Sequence, residues 1–210
     1  MQRMDLRATI RATIRPLPGG LCAALLLLPG WALAASWQFQ VRSPEGQPLT
    51  DAVVAVEIKG GSRTSTGRAE MAQRDRQFQP HVLVVQTGTA VSFPNFDTVR
   101  HHVYSFSPIK PFDIKLYSGT PSEPIVFDKP GVAALGCNIH DRMGAFIVVV
   151  DTPLFGKTGA QGELSLELPP GEHVLKLWHS SRLQPLLLSE KLSVPAGQAA
   201  GQSSLVLAPQ

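Results

Sequence analysis

Gly136-Cys137-Asn138-Ile139-His140-Asp141-Arg142-Met143 runs directly into the apolar stretch Phe146-Ile147-Val148-Val149-Val150. A thiol, an imidazole and a thioether therefore fall within one short loop at the mouth of a strand-like segment. Upstream, Arg100-His101-His102-Val103-Tyr104 opens a second strand-like run and offers further imidazoles. A soft thiolate, two imidazoles and a weak axial thioether form the donor set that suits copper in a one-electron redox site.

The N-terminus has the composition of a targeting segment. Arg3, Arg7, Arg11 and Arg15 make a basic region, Leu21 to Leu28 an apolar one, and Ala32-Leu33-Ala34 a small-residue cleavage site. Residues 1–34 are thus expected to be a signal peptide, with an exported, periplasmic protein beginning near Ala35. The apolar run is interrupted by Pro29-Gly30 and is short for a bilayer span, so no stable membrane anchor is expected. Loss of these residues takes four arginines and one aspartate from 19 basic and 16 acidic residues, leaving equal numbers of each. A nucleic-acid partner then has no support from charge. Cleavage also removes Cys22 and leaves Cys137 as the one thiol, which excludes an internal disulfide.

No helical periodicity is sustained along the rest of the chain. Short β-rich runs alternate with Gly, Pro, Asp and Ser clusters, the pattern of an all-β sandwich protein. Trp37–Val41 and Asp51–Ile58 alternate around the turn Pro44–Leu49 and read as an opening hairpin. Further strands are expected at 78–85, 90–93, 99–106, 112–116, 125–127, 132–135 and 146–150. Beyond Thr152-Pro153, a strand, the turn Pro169-Pro170-Gly171 and a second strand end at Trp178, and residues 205–207 suit a closing edge strand. Phe93, Phe96, Tyr104, Phe106 and Phe146 are expected in the core, whereas His81, His173 and His179 lack partnered spacing.

Across residues 78–151 the order Gly-Thr-x-Val-x-Phe-x-Asn, then His, then Pro-Gly, then Cys-x-x-His-x-x-Met resembles the cupredoxin family. The tight final loop is similar to that of amicyanin-like members. The combined string Phe-Pro-Asn, Arg-His-His-Val-Tyr-Ser-Phe-Ser and Gly-Cys-Asn-Ile-His-Asp resembles exported proteins of the methylamine-utilisation type. The ends of the chain, 35–62 and 152–210, resemble two parts of a carboxypeptidase regulatory-like (transthyretin-like) β-domain. Together these resemblances imply a cupredoxin Greek-key β-sandwich over 63–151, inserted into a small transthyretin-like β-sandwich.

The cupredoxin resemblance implies one type 1 copper ion held by His101, Cys137, His140 and Met143, the last as axial ligand. Adjacent residues on a strand point to opposite faces, so His101 and His102 are not expected to reach one metal together. The family pattern favours His101 and leaves His102 either to brace the loop by hydrogen bonding or to replace it as ligand. Arg142, inside the loop, is a candidate contact for a redox partner. No catalytic triad, phosphate loop or second metal set is visible, so the expected role is not an enzyme but an electron carrier between a redox donor and acceptor. The competing expectation is a copper-binding or delivery protein without fast electron transfer.

Overall fold

The computed structural model describes residues 34–58, 60, 64–121, 123–181 and 188–207, and the backbone of Thr13–Ile14. The rest of the expected signal peptide up to residue 33 lies outside the described residues. The chain divides into two compact units, one built from the segment up to Lys59 with Leu154–Ser181 and Leu188–Gln210, the other on Gly60–Pro153. Both are β throughout among the described residues, and no helix there is long and apolar enough to cross a membrane.

The flanking unit is entered through β1 (Thr13–Ile14), β2 (Ala35–Arg42) and β3 (Val53–Ile58). The central unit contributes β4 (Arg68–Glu70), β5 (Ala72–Arg74), β6 (Gln77–Gln79), β7 (Val82–Gln86) and β8 (Thr89–Ser92). It continues with β9 (His101–Ser105), β10 (Phe112–Tyr117), β11 (Ile125–Phe127), β12 (Gly131–Gly136) and β13 (Gly144–Val150). The chain then returns to the flanking unit as β14 (Phe155–Lys157), β15 (Glu163–Leu168), β16 (Gly171–Trp178), β17 (Leu188–Val194) and β18 (Ala200–Val206).

In the flanking unit two sheets, ordered β1-β18-β2-β15 and β14-β3-β16-β17, enclose one core. Strand β2 alternates strictly, so Ala35, Trp37, Phe39 and Val41 turn inward and meet Val54, Val56, Leu175, Leu177 and Leu192 from the other sheet. Trp37 is fully buried and its indole N–H donates to Ser203 Oγ at 2.9 Å. The expected opening hairpin is not formed. β2 and β3 lie in different sheets, as do β15 and β16, so each pair turns a corner between layers instead of sharing a ladder. Alternation fixes which face is buried but not which strand supplies the partner backbone.

The central unit carries a five-stranded sheet, β10-β9-β12-β13-β7, a three-stranded sheet, β11-β8-β4, and the hairpin β5-β6. β7 runs parallel to β13, with Val82 opposite Phe146, and their Val-rich faces feed the core. The strand expected at 78–85 is two strands, because β6 pairs with β5 while β7 pairs with β13. Pro80, which has no N–H to donate, sits at that break. Phe93 is buried, but Phe96 and Phe106 are exposed, contrary to their expected place in the core. Both lie just outside strands, where no pleat directs them inward. Met71 is wholly buried in this core.

Two register facts build the site. β12 pairs with β13 from Gly131–Val149 to Gly136–Gly144, so residues 137–143 are the loop of a hairpin. β9 lies antiparallel to β12 with Tyr104 opposite Gly136, which brings the start of β9 beside that loop. Gly136 leaves room for the Tyr104 ring there: a Cβ would lie 2.6 Å from Tyr104 Cζ and Oη, so the ring would have to shift.

Candidate metal centre

The loop between β12 and β13 is closed by its own backbone. Cys137 N–H donates to Met143 C=O at 3.2 Å, and Met143 N–H donates to His140 C=O at 2.9 Å. Cys137 and Met143 are thereby turned into the core of the central unit, while Asp141 and Arg142 stay exposed. Cys137 Sγ lies 3.9 Å from His101 Nδ1 and 3.9 Å from His140 Nδ1. The three donor atoms fall within 4.8 Å of one another, and the two imidazole centroids are 5.1 Å apart. His101 is fully buried and His140 half-buried.

His102 goes the other way. Its Nε2 is hydrogen-bonded to Asp113 on β10, and its ring meets Tyr104 at 5.6 Å. The Asp113 carboxyl is held below the usual carboxylate range, chiefly by its hydrogen bond from Lys115 and then by that from His102. The neighbouring strand residues therefore serve opposite faces of the sheet, as the two-residue repeat requires. His81 is exposed, His173 donates from Nε2 to Pro169 C=O at 2.7 Å, and His179 Nε2 bonds Thr50 C=O at 3.0 Å. None of these three joins the cluster.

The sequence reading missed two groups that hold His101. Asn95 donates from Nδ2 to Val99 C=O at 2.8 Å and to Tyr117 C=O at 3.2 Å, and its Oδ1 accepts the Asp97 N–H at 2.9 Å. This pins the turn that leads into β9. Asp97 Oδ2 is 2.7 Å from His101 Nε2, and the same carboxylate accepts the backbone N–H groups of Asp75 at 2.7 Å and Arg76 at 3.0 Å. Burial pushes the Asp97 carboxyl up, but the hydrogen bonds from Arg76, His101 and Asp75 outweigh it, leaving it below the ordinary carboxylate range. Asp97 lies four residues before His101, but outside a helix that interval by itself does not predict the contact.

Beside the cluster, the buried Gln73 amide donates to Phe93 C=O at 3.1 Å and bonds the Tyr117 hydroxyl, which itself donates to Phe93 C=O at 2.6 Å. Burial pushes the Tyr117 hydroxyl up to about 12; the Gln73 bond works against this and negative charge on Cys137 adds to it.

No protein-family profile matches the chain, and no curated protein matches it. Among solved structures it is similar to a purple cupredoxin from Nitrosopumilus maritimus, at 20% identity over 40% of this chain and 99% of that one, with a TM-score of 0.35. It is also similar to a reduced Cu(I) form of an amicyanin variant, at 14% identity over 46% of this chain and 98% of that one, with a TM-score of 0.37.

The donor atoms themselves fit a small cation. An ion about 2.0 Å from nitrogen and about 2.3 Å from sulfur, with the donors about 120° apart, sets nitrogen and sulfur about 3.7 Å from each other. The observed separations of 3.9 Å leave that space with little movement of the side chains. Two imidazoles and a thiol suit a borderline or soft metal far better than magnesium or calcium.

Proposed function

We propose that this protein is an exported blue-copper electron carrier, in which His101, Cys137, His140 and Met143 hold one type 1 copper ion. The observation that carries this reading is the convergence of His101 Nδ1, Cys137 Sγ and His140 Nδ1 on one point at the mouth of a buried core. Copper bound there would supply one-electron exchange between its two oxidation states. The chain's part is to keep the donors still. The loop hydrogen bonds make Cys137, His140 and Met143 one unit, and the sheet holds His101 against it. Cys137 would give up its proton to bind the metal, and the apolar side chains around it would keep water away. Met143, buried in the same core cluster as Cys137, would add a weak thioether donor.

The central unit is on this reading a cupredoxin domain, and the flanking unit a regulatory-like β-domain into which it is inserted. Residues 1–34 direct export to the periplasm, where unidentified redox proteins donate and accept the electron. Half-buried His140, with exposed Ile139 and Arg142 beside it, gives such partners the shortest approach to the centre.

The test is spectroscopic. The copper-loaded mature protein is expected to show an intense thiolate-to-copper absorption, a narrow paramagnetic-resonance splitting and reversible one-electron voltammetry, all absent from Cys137→Ser. A colourless adduct without reversible voltammetry would replace the carrier by a copper-delivery protein. A preference for zinc would remove copper altogether.

A further inference from the structure

The two-residue turn Asp75–Arg76 joins β5 to β6, with Arg74 opposite Gln77. Both turn residues have positive φ, 55° and 59°, although neither is glycine. Turns of this kind ordinarily take Asn-Gly or Asp-Gly, and side chains persist in the left-handed region only where the surroundings over-determine them. Here the surroundings are one carboxylate. The two successive N–H groups of the turn donate to Oδ1 and Oδ2 of Asp97, and Oδ2 also meets His101 Nε2 at 2.7 Å.

A carboxylate offers only acceptors, so His101 Nε2 must carry the hydrogen of that bond. In neutral imidazole the lone pair then lies on Nδ1, the atom that faces Cys137 Sγ. We propose that Asp97, clamped by the backbone of the Asp75–Arg76 turn, is the positioning residue of the metal centre. It fixes His101 as the Nε2–H tautomer and aims Nδ1 at the cation. Its negative charge also makes that nitrogen a stronger donor and favours the more highly charged oxidation state. The redox part rests on the copper reading; the tautomer part does not.

Nitrogen-15 NMR of the metal-free protein reads the tautomer directly, with no copper required. His101 is expected to carry its proton on Nε2 in the wild type and to become a mixture of tautomers in Asp97→Ala. In copper-loaded protein, chelator competition should show Cu(II) affinity falling about 10- to 100-fold in Asp97→Ala, with a smaller loss for Cu(I). A tenfold difference between the two losses raises the reduction potential by about 59 mV. Asp97→Glu should restore part of the affinity, and an ester oxygen in place of the Arg76 N–H, which deletes one donor of the clamp while leaving the positive φ of Arg76 accessible, should move the potential in the same direction as Asp97→Ala.

A wild-type His101 protonated on Nδ1 overturns the proposal. So does an Asp97→Ala protein whose tautomer, affinity and potential all match the wild type. An unmoved potential in the ester variant overturns the clamp. Should Asp97→Ala fail to fold, the near-isosteric Asp97→Asn removes the charge while keeping an acceptor, and its affinity and potential then carry the test. A wild type that forms no blue centre refutes the copper reading while leaving the tautomer measurement to decide this one.

Discussion

Replacing Gly136 with alanine puts a methyl group against the Tyr104 ring. The new Cβ would lie 2.6 Å from Tyr104 Cζ and Oη and 3.1 Å from Cε1. Carbon atoms settle at about 3.5–4.0 Å, so the ring must retreat by about 1 Å. The His102 ring centre 5.6 Å away resists that movement, while the exposed Phe106 ring, 5.0 Å away, can yield to it. Overpacking of this kind costs about 1–3 kcal/mol, which for a unit this small lowers the melting temperature by about 4–8 °C per kcal/mol. The decisive assay is a double-mutant cycle in urea. In a Tyr104→Ala background the methyl group meets no ring, so Gly136→Ala should become nearly neutral, giving a coupling of about 1–3 kcal/mol. Additivity of the two substitutions within about 0.5 kcal/mol would refute the claim that Gly136 is kept small by Tyr104.

Three further outcomes follow from the same geometry. The Tyr117 hydroxyl titrates at about 12 in the fold against 10.0 in the open chain, so the folded state holds its proton more tightly. That contribution to stability is complete below about pH 10 and is lost as pH rises toward 12; urea midpoints at about pH 9 and about pH 11.5 should differ less in Tyr117→Phe than in wild type. Gln73→Met should change stability by no more than about 1 kcal/mol, since the Gln73 Oε1 is a buried acceptor without a partner and Tyr117 still serves Phe93 C=O; a larger loss in urea titration would mean the amide carries the network. Gly201→Ala would drive a Cβ into the Trp37 ring and should cost about 1–3 kcal/mol in thermal unfolding, whereas an unchanged melt would mean the ring has space that the packing does not indicate.

The loop at 137–143 was legible because all its donors lie within one short stretch, and loop closure by two backbone hydrogen bonds needs no distant partner. Burial along β2 was legible for a similar reason, since alternation alone turns Trp37 and Phe39 inward. Pairing was not. The corner between β2 and β3 reads in sequence like a hairpin, and only the competition among strands for backbone partners separates them. The division of labour between His101 and His102 depends on Asp97 and Asp113, acceptors that lie on opposite sides of β9. The clamp on Asp97 was illegible for a deeper reason. It is made by main-chain N–H groups twenty-odd residues earlier, whose direction depends on two positive φ angles at residues that do not advertise them.

The antiparallel pairing of β3 with β14 sets Ala55 opposite Phe155 and Val53 opposite Lys157. Everything from Lys59 to Leu154 is thus, to the flanking sheet, the connection of a single hairpin. If that stretch is unfolded, joining β3 to β14 means closing a loop of nearly a hundred residues, at an entropic cost of about 4 kcal/mol. If it is folded, its own core already restrains the ends and most of that cost has been met. Folding of the central segment therefore lowers the entropic cost of pairing β3 with β14. A cation that favours its folded form would, through the chain alone, also favour the pairing of those two strands.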